Sequence, residues 1–312
     1  MFFKKVDYGE VLESSFTILK KNVILFLPNA LLLVISFLLI SIFFYGSGLS
    51  NLIFTKPYLL DDFPALLREF EVLSRTAPFI ITLFIWIMGE LLFGSFLTVM
   101  KFGMIKDVIK TGRTNVKSGL TFAEKNFFNY WTIYLTFSLI IFSPLLILLF
   151  VYFLFISTLE YVTLGAILLS LFGIVWLCYA VLMWMRLFFV YPVMTFEKEK
   201  YFQSMKHEFH YVKSHTGHTF ISLMIFLAIM IGYHVIRESV EIFGIRFQGT
   251  TVILFIAIAM AVFEIFVLTF EHVFIFKSYL AGKHIKNLVE KAKKKGDYIE
   301  PKTVKRTKKQ KK

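Results

Sequence analysis

The chain has 312 residues, of which 57% are apolar and 18% are charged, and its formal net charge is +13. A typical soluble domain has about 25% charged residues and only short apolar stretches, so this composition argues against a soluble enzyme. The single cysteine, Cys178, excludes an intrachain disulfide framework and a zinc site built from cysteines. The composition therefore predicts a protein that folds largely within a lipid bilayer.

Charge divides the chain into two parts. Residues 283–312 contain 13 basic and 3 acidic residues, whereas residues 1–282 are sparsely charged and nearly neutral. We therefore expect a membrane domain over residues 1–282 and a separate basic tail over residues 283–312.

Six stretches are uncharged or carry a single acid, and each is long enough, at about 18 residues or more, to cross a hydrocarbon core as a helix. The connection between the first two is predicted to contain a short amphipathic helix over residues 63–73. The sequence thus predicts an all-α, polytopic membrane protein with six transmembrane helices. These cover residues 23–45, 77–100, 126–159, 161–185, 219–236 and 250–270.

The basic residues are distributed unevenly between the connections. If the N-terminus lies inside, 29 of the 34 Lys and Arg residues fall in inner segments. Basic residues that flank spans are retained on the cytoplasmic side. We therefore expect a multi-pass protein of the cell membrane with both termini in the cytoplasm.

Amphipathic segments precede the first, third and fifth spans, and the first two are similar in sequence. At an offset of 104 residues, the first segment matches the second at four positions, which are Ser14 and Ser118, Thr17 and Thr121, Lys21 and Lys125, and Asn22 and Asn126. We interpret the chain as three parallel repeats over residues 7–113, 114–200 and 201–282, each an interfacial helix followed by a helical hairpin. The alternative is that the four matches arise by chance. The amphipathic helices would then be ordinary structural elements that pack on the inner ends of the bundle.

These features resemble the membrane domain fused to some glycerophosphodiester phosphodiesterases, which also occurs in stand-alone relatives. The resemblance rests on the three helix-plus-hairpin units and on the Ser14 to Asn22 and Ser118 to Asn126 segments, and it covers residues 7–282. It implies a helical membrane fold but no catalytic residues, because the chain lacks room for a soluble barrel of about 250 residues. The chain also contains no P-loop, G-x-S-x-G or H-E-x-x-H motif.

Two carboxylates, Glu90 and Glu264, lie inside predicted spans at similar depths. An ionised carboxylate there costs about 2.5–3.5 kcal/mol on insertion scales, so both are candidates for a cation or proton site or for a headgroup pocket. Glu271 lies near the inner end of the last span. Arg186, at the end of span four, is the expected ion-pair partner of Glu271 or of Glu90. Gly89 and Gly94 beside Glu90 predict close approach of another helix. The alternative is that each carboxyl is protonated or bonded to a neighbouring helix.

Four histidines in one connector have the spacing H-x2-H-x4-H-x2-H, and pairs three residues apart share a helical face. Such a face suits a metal ion, but no carboxylate other than Glu208 accompanies it. Ordinary connector histidines are therefore the alternative to a metal site. The four are His207, His210, His215 and His218.

The basic tail has too few apolar residues to offset its conformational entropy, so we expect it to be mostly disordered. Near an anionic leaflet each Lys gains about 1 kcal/mol, which makes lipid contact the expected role. Binding to ribosomal RNA is the alternative. The candidate contacts are Lys293, Lys294, Lys295, Lys305, Arg306, Lys308 and Lys309.

The absence of catalytic motifs favours a non-enzymatic membrane protein that binds or organises lipid or a membrane partner, including a second copy of itself. We expect no cofactor. A transporter or channel that uses Glu90 and Glu264 is the second hypothesis, and parallel rather than inverted repeats weigh against it. An insertase-like role that depends on the tail is the third.

Overall fold

The computed structural model describes residues 6–56, 63–156, 162–197, 201–246 and 250–294. Within these ranges the backbone is almost entirely helical and contains no strand, which confirms the all-α prediction. The helices are α1 (Tyr8–Lys21), α2 (Leu27–Gly46), α3 (Leu49–Thr55), α4 (Phe63–Ser74), α5 (Ala77–Gly89), α6 (Ser95–Thr111), α7 (Val116–Ile156), α8 (Val162–Arg186), α9 (Val190–Glu197), α10 (Tyr201–Ser214), α11 (Thr216–Arg246) and α12 (Thr250–Lys294).

Within the described residues, six helical segments are long and apolar enough to span a membrane, and each overlaps one of the six predicted spans. This agreement identifies a multi-pass membrane protein. Three of the segments are composite. A 3₁₀ turn, Val23–Phe26, leads into α2, α5 continues into α6 through a π-helical turn, and α8 continues into α9 through a short turn. The segments are Val23–Gly46, Ala77–Thr111, Val116–Ile147, Ser170–Glu197, Thr216–Ile242 and Thr251–Lys283.

The first amphipathic segment forms a separate helix, α1, as predicted. The side chain of Asp7 caps its first turn by accepting a hydrogen bond from the backbone of Glu10 at 3.2 Å. Its buried residues, Val11, Ser15 and Leu19, lie on one face, and the helix packs against α12. The predicted helix in the connection after span one is also present, as α4.

The second amphipathic segment differs from the expectation of a separate interfacial helix. It is the first part of α7, which runs without interruption from Val116 into the third span. The local hydrogen bonds nevertheless match those of α1. Asn22 and Asn126 each donate a side-chain bond to the carbonyl four residues earlier, and Ser14 and Ser118 each donate to the carbonyl three residues earlier.

Buried side chains concentrate at one end of the helical bundle, which we call the packed end. It consists of α1, α6, α9, α10 and residues 116–133, 216–226 and 267–283 of α7, α11 and α12. Two clusters of buried apolar side chains fill it. The opposite end, which we call the open end, consists of residues 31–46, 77–89, 134–147, 170–184, 227–242 and 251–262. Most of its large apolar side chains are exposed on the bundle surface, as expected where lipid is the solvent.

The last helix crosses the predicted boundary between membrane domain and tail, since the backbone of α12 is helical as far as Lys294. Lys295, Lys305, Arg306, Lys308 and Lys309 lie outside the described residues. Contact of the tail with lipid or RNA therefore stays a prediction.

Candidate functional site

A cavity of about 410 Å³ opens between α2, the π-helical turn, α6, α7, α9 and α12, where the packed end meets the open end. Its wall combines apolar side chains with a carboxylate, several hydroxyls and an imidazole. The lining residues are Leu32, Glu90, Leu91, Gly94, Ser95, Thr98, Val99, Phe102, Tyr130, Tyr134, Tyr191 and His272.

The π-helical turn, Glu90–Gly94, brings Glu90 to this cavity. Such turns inside α-helices are frequent at functional sites. Gly89 lies against α2, and a Cβ atom added there would be 2.7 Å from Leu39 Cδ1. The predicted close approach of another helix beside Glu90 is therefore present, and α2 is that helix.

Several polar groups in the cavity have no hydrogen bond or ion pair with the described part of the chain. They are the Glu90 carboxylate and the hydroxyls of Ser95, Thr98, Tyr134 and Tyr191. The cavity therefore offers hydrogen-bonding capacity that the described protein groups leave unused.

His272 contributes a fixed acceptor to the cavity wall. Its Nδ1 lies 2.7 Å from the carbonyl oxygen of Leu268, and a carbonyl only accepts, so Nδ1 carries the hydrogen. A neutral imidazole in this tautomer has an acceptor at Nε2. The ring packs against Phe102, with 5.1 Å between the ring centroids.

A buried polar network lies beside the cavity and connects three helices. Lys101, only 3% exposed, donates from Nζ to Asn29 Oδ1 at 2.8 Å, and Asn29 Nδ2 donates to Thr269 Oγ1 at 2.8 Å. Glu271, 4% exposed, interacts electrostatically with Lys101, but its Oε1 has no hydrogen-bond partner among the described residues. The network joins α2, α6 and α12.

The predicted intramembrane residues do not converge on one site. Glu90 lines the cavity, but Glu264 does not; it is half-buried on α12 beside Tyr233 of α11. The cation beside Glu271 is Lys101, whereas Arg186 is exposed at the end of α8. The expected neutralisation of Glu271 or Glu90 inside the protein by Arg186 is therefore wrong, because the end of α8 turns that side chain outward.

The four histidines occupy different surroundings. His218 forms a hydrogen bond between its Nδ1 and the Tyr8 hydroxyl at 2.7 Å, and its ring stacks on Phe189. The ring of His215 stacks on Tyr211. His210 is exposed on α10. Within the described ranges, no three His, Cys, Asp or Glu side chains are grouped so that they could hold a metal ion.

The sequence analysis considered Glu208 only as a neighbour of the four histidines and did not predict that it is buried. Glu208 of α10 is fully buried, and its Oε1 accepts a hydrogen bond from the backbone of Phe189 at 2.8 Å. Its Oε2 has no partner among the described residues. Burial raises the pKa of Glu208 to about 8, and the Phe189 bond opposes this rise only partly.

A second, shallower depression of about 470 Å³ lies between α6 and the start of α7. Its lining includes the side chains of Lys106, Lys117 and Lys125 together with one acid, Asp107. Excess positive charge beside hydroxyl and amide groups suits an anionic headgroup, in contrast to the cavity around Glu90.

Comparison of the chain with protein-family models, with curated proteins and with solved structures found no match. The resemblance to the phosphodiesterase-associated membrane domain therefore stays an interpretation of the sequence.

Proposed function

We propose that this protein is a non-enzymatic membrane protein that binds an amphiphilic component of the bilayer, whose polar part occupies the cavity around Glu90. The observation that carries the proposal is the set of unused polar groups in this cavity. These groups are partly exposed, and a ligand that covered a polar group without pairing with it would cost about 1–3 kcal/mol, and more for a charge. The lining therefore favours a ligand whose polar part pairs with these groups.

The position and shape of the cavity favour an amphiphile over a fully polar solute. Its volume falls within the range of about 300–1,000 Å³ that small-molecule sites occupy. The π-helical turn presents Glu90 and Leu91 to the cavity, while Leu92 and Phe93 are exposed on the surface of the bundle. An apolar tail that leaves the cavity beside this turn would lie along these two exposed side chains.

Native mass spectrometry of protein purified in a gentle detergent tests this proposal. Glu90→Gln removes the charge in the cavity, and Glu264→Gln is the matched control, because it removes a second span carboxylate outside the cavity lining. We expect the wild type and the control to retain a lipid, and Glu90→Gln to lower its occupancy about tenfold, which corresponds to about 1.4 kcal/mol. Wild-type protein without a retained amphiphile, or equal occupancy in both variants, would contradict the proposal.

Cation or proton translocation is a second candidate function. The buried Lys101 and Glu271 beside the cavity favour it, because charged groups inside spans often mark ion pathways. In proteoliposomes, this function predicts a cation or proton flux that Glu90→Gln abolishes and Glu264→Gln preserves. Absence of flux in the wild type would dismiss it. No observation on the described residues favours the insertase-like hypothesis.

The proposal includes the topology and repeat inferred from the sequence, with both termini on the cytoplasmic side of the cell membrane. The common location of α1 and the second half of α12 at the packed end supports termini on one side. The matching hydrogen bonds of the Ser14 and Ser118 segments support the repeat. The lysine-lined depression between α6 and α7 supports contact with anionic headgroups, which this topology places at the cytoplasmic leaflet.

A further inference from the structure

We propose that the group bound in the cavity is a protonated primary amine, the ammonium headgroup of a membrane amphiphile. This inference rests on the proposed function, since it names the ligand class of the same cavity. Three independent properties of the cavity wall support it: its charge, the fixed hydrogen-bond roles of its side chains, and its aromatic surface.

The charge of the lining is negative. Glu90 is the only acidic side chain among the lining residues, which include no Lys or Arg. The nearby cation, Lys101, donates its hydrogen bond to Asn29 and interacts with Glu271, so it already has partners outside the lining. Glu90 therefore has no countercharge among the side chains that line the cavity. Once a ligand fills the cavity and excludes water, the Glu90 carboxylate requires a cation, which the ligand itself would supply.

The lining offers acceptors with fixed roles but no side chain that can only donate. The Glu90 carboxylate and His272 Nε2 accept, whereas the hydroxyls of Ser95, Thr98, Tyr134 and Tyr191 can rotate to accept or donate. A ligand that only accepts, such as a phosphate, sulfate or carboxylate group, would leave Glu90 and His272 unsatisfied and would place like charges together. A primary ammonium group has three N–H donors and satisfies this pattern.

Aromatic rings form the packed-end side of the cavity. Phe102 lies 5.2 Å from Tyr191 and 5.8 Å from Tyr130, measured between ring centroids. The Tyr130 hydroxyl is held by Thr195 at 2.6 Å, which fixes that ring. A cation near the face of an aromatic ring gains about 0.5–1 kcal/mol at an exposed site and about 2 kcal/mol when it is desolvated, so this wall favours an ammonium group over a neutral one.

The donor requirement separates primary from quaternary amines. A quaternary ammonium satisfies the charge and the aromatic wall, but it has no N–H with which to reach Glu90 and His272. We therefore expect selectivity in the order primary ammonium, quaternary ammonium, neutral alcohol and carboxylate. The test uses ligands that share one tail and differ only in this group.

The experiment compares decylamine, decyltrimethylammonium, decanol and decanoate at pH 7 on purified full-length protein in a neutral detergent. Native mass spectrometry measures occupancy at equal ligand concentrations. We expect the occupancy of decylamine to be at least tenfold higher than that of decanol or decanoate. It should be about threefold higher than that of decyltrimethylammonium. Glu90→Gln should abolish the preference, and the control variant Glu264→Gln should preserve it.

The outcomes distinguish this inference from the proposed function. Equal binding of all four ligands, lowered to the same extent by Glu90→Gln, would overturn the amine inference and leave an amphiphile site. Preference for decanoate would also overturn it. Binding of none would overturn both. If Glu90→Gln does not yield folded protein, Tyr191→Phe and Thr98→Val are the alternative variants, since each removes one cavity hydroxyl. We expect each to lower decylamine occupancy about threefold without changing decanol occupancy. Unchanged decylamine occupancy would contradict the inference.

Discussion

The packed end and the open end use apolar residues in opposite ways. Phe274 and Phe276 of α12 are completely buried at the packed end, whereas Phe37 of α2 is 69% exposed at the open end. The packed end also buries ionisable side chains, such as Lys101 and Glu208. The open end has its ion pair, between Arg237 and Glu241, on an exposed surface.

This difference reflects the solvent of each region. Lipid tails are as apolar as leucine side chains, so apolar residues in the bilayer gain little by leaving lipid for a helix interface. Close packing therefore depends on small residues and on polar groups that need partners, and both are abundant at the packed end. The Glu90 cavity lies at the junction, with an exposed π-helical turn on one side and rigid aromatic rings on the other.

The largest expected effect concerns Glu208, whose burial raises its pKa from 4.5 to about 8. Between these pH values the folded protein keeps a proton that the unfolded chain releases, so stability is full below about pH 4.5 and falls as pH rises toward 8. At 1.36 kcal/mol per unit the loss is on the order of 5 kcal/mol. Thermal unfolding in detergent from pH 4.5 to 8 measures it.

The matched variant for this test is Glu208→Gln, whose amide oxygen can still accept from the backbone of Phe189. Its stability should vary much less over the same pH range. If the two pH profiles coincide, the packed end does not exclude water around α10, and the contrast between the ends loses this support.

The second prediction compares charged pairs from the two ends. Lys101→Met leaves Asn29 Oδ1 without its donor and Glu271 without its cation, so we expect a loss of about 3–5 kcal/mol in unfolding free energy. Arg237→Met is the matched variant. Its pair with Glu241 has a distance of 2.8 Å and exposed fractions of 43% and 48%, so the loss should be about 0–1 kcal/mol.

Chemical denaturation in detergent measures both variants. Adding Glu271→Gln to Lys101→Met should recover part of the loss, because it removes the uncompensated charge. Equal losses for Lys101→Met and Arg237→Met would mean that burial of the charge at the packed end has no energetic consequence.

The spans and the short helices α1 and α4 could be predicted because hydropathy and amphipathic periodicity are local properties of the sequence. The pairing of charges could not. Lys101 directly follows the predicted span two, where basic residues usually flank a span at the membrane surface. In the structure α6 continues past this position, and Lys101 is buried against Asn29. Polar residues within the apolar stretches of α2 and α12, Asn29 and Thr269, were the available signal.

Depth along a span was also insufficient to define the site. Glu90 and Glu264 lie at similar depths, but the rotation of each helix determines which neighbour its side chain meets. The π-helical turn directs Glu90 toward α6 and α7, while α12 presents Glu264 to Tyr233 of α11. The sequence indicated the close approach at Gly89 but contained no signal for the extra residue in the turn.

The smallest expected effects come from two glycines that differ only in their surroundings. In Gly103→Ala the new Cβ would lie 2.6 Å from the Cβ of Phe122, so α6 and α7 must separate. We expect a loss of about 1–3 kcal/mol from this overpacking. Gly173 on α8 has no atom of the described residues within 4 Å of such a Cβ, so Gly173→Ala should instead stabilise the helix by about 0.5–1 kcal/mol.

Unfolding midpoints of the two alanine variants, measured in the same detergent, show whether each substitution lowers or raises stability. Opposite signs are expected because at Gly103 the packing cost exceeds the gain in helix propensity, whereas at Gly173 only that gain applies. A loss at both positions would show that α8 is covered at Gly173, by a second protein chain or by a tightly held lipid. The open end would then be an interface, and its exposed apolar side chains would be contact residues for that partner rather than a surface for bulk lipid.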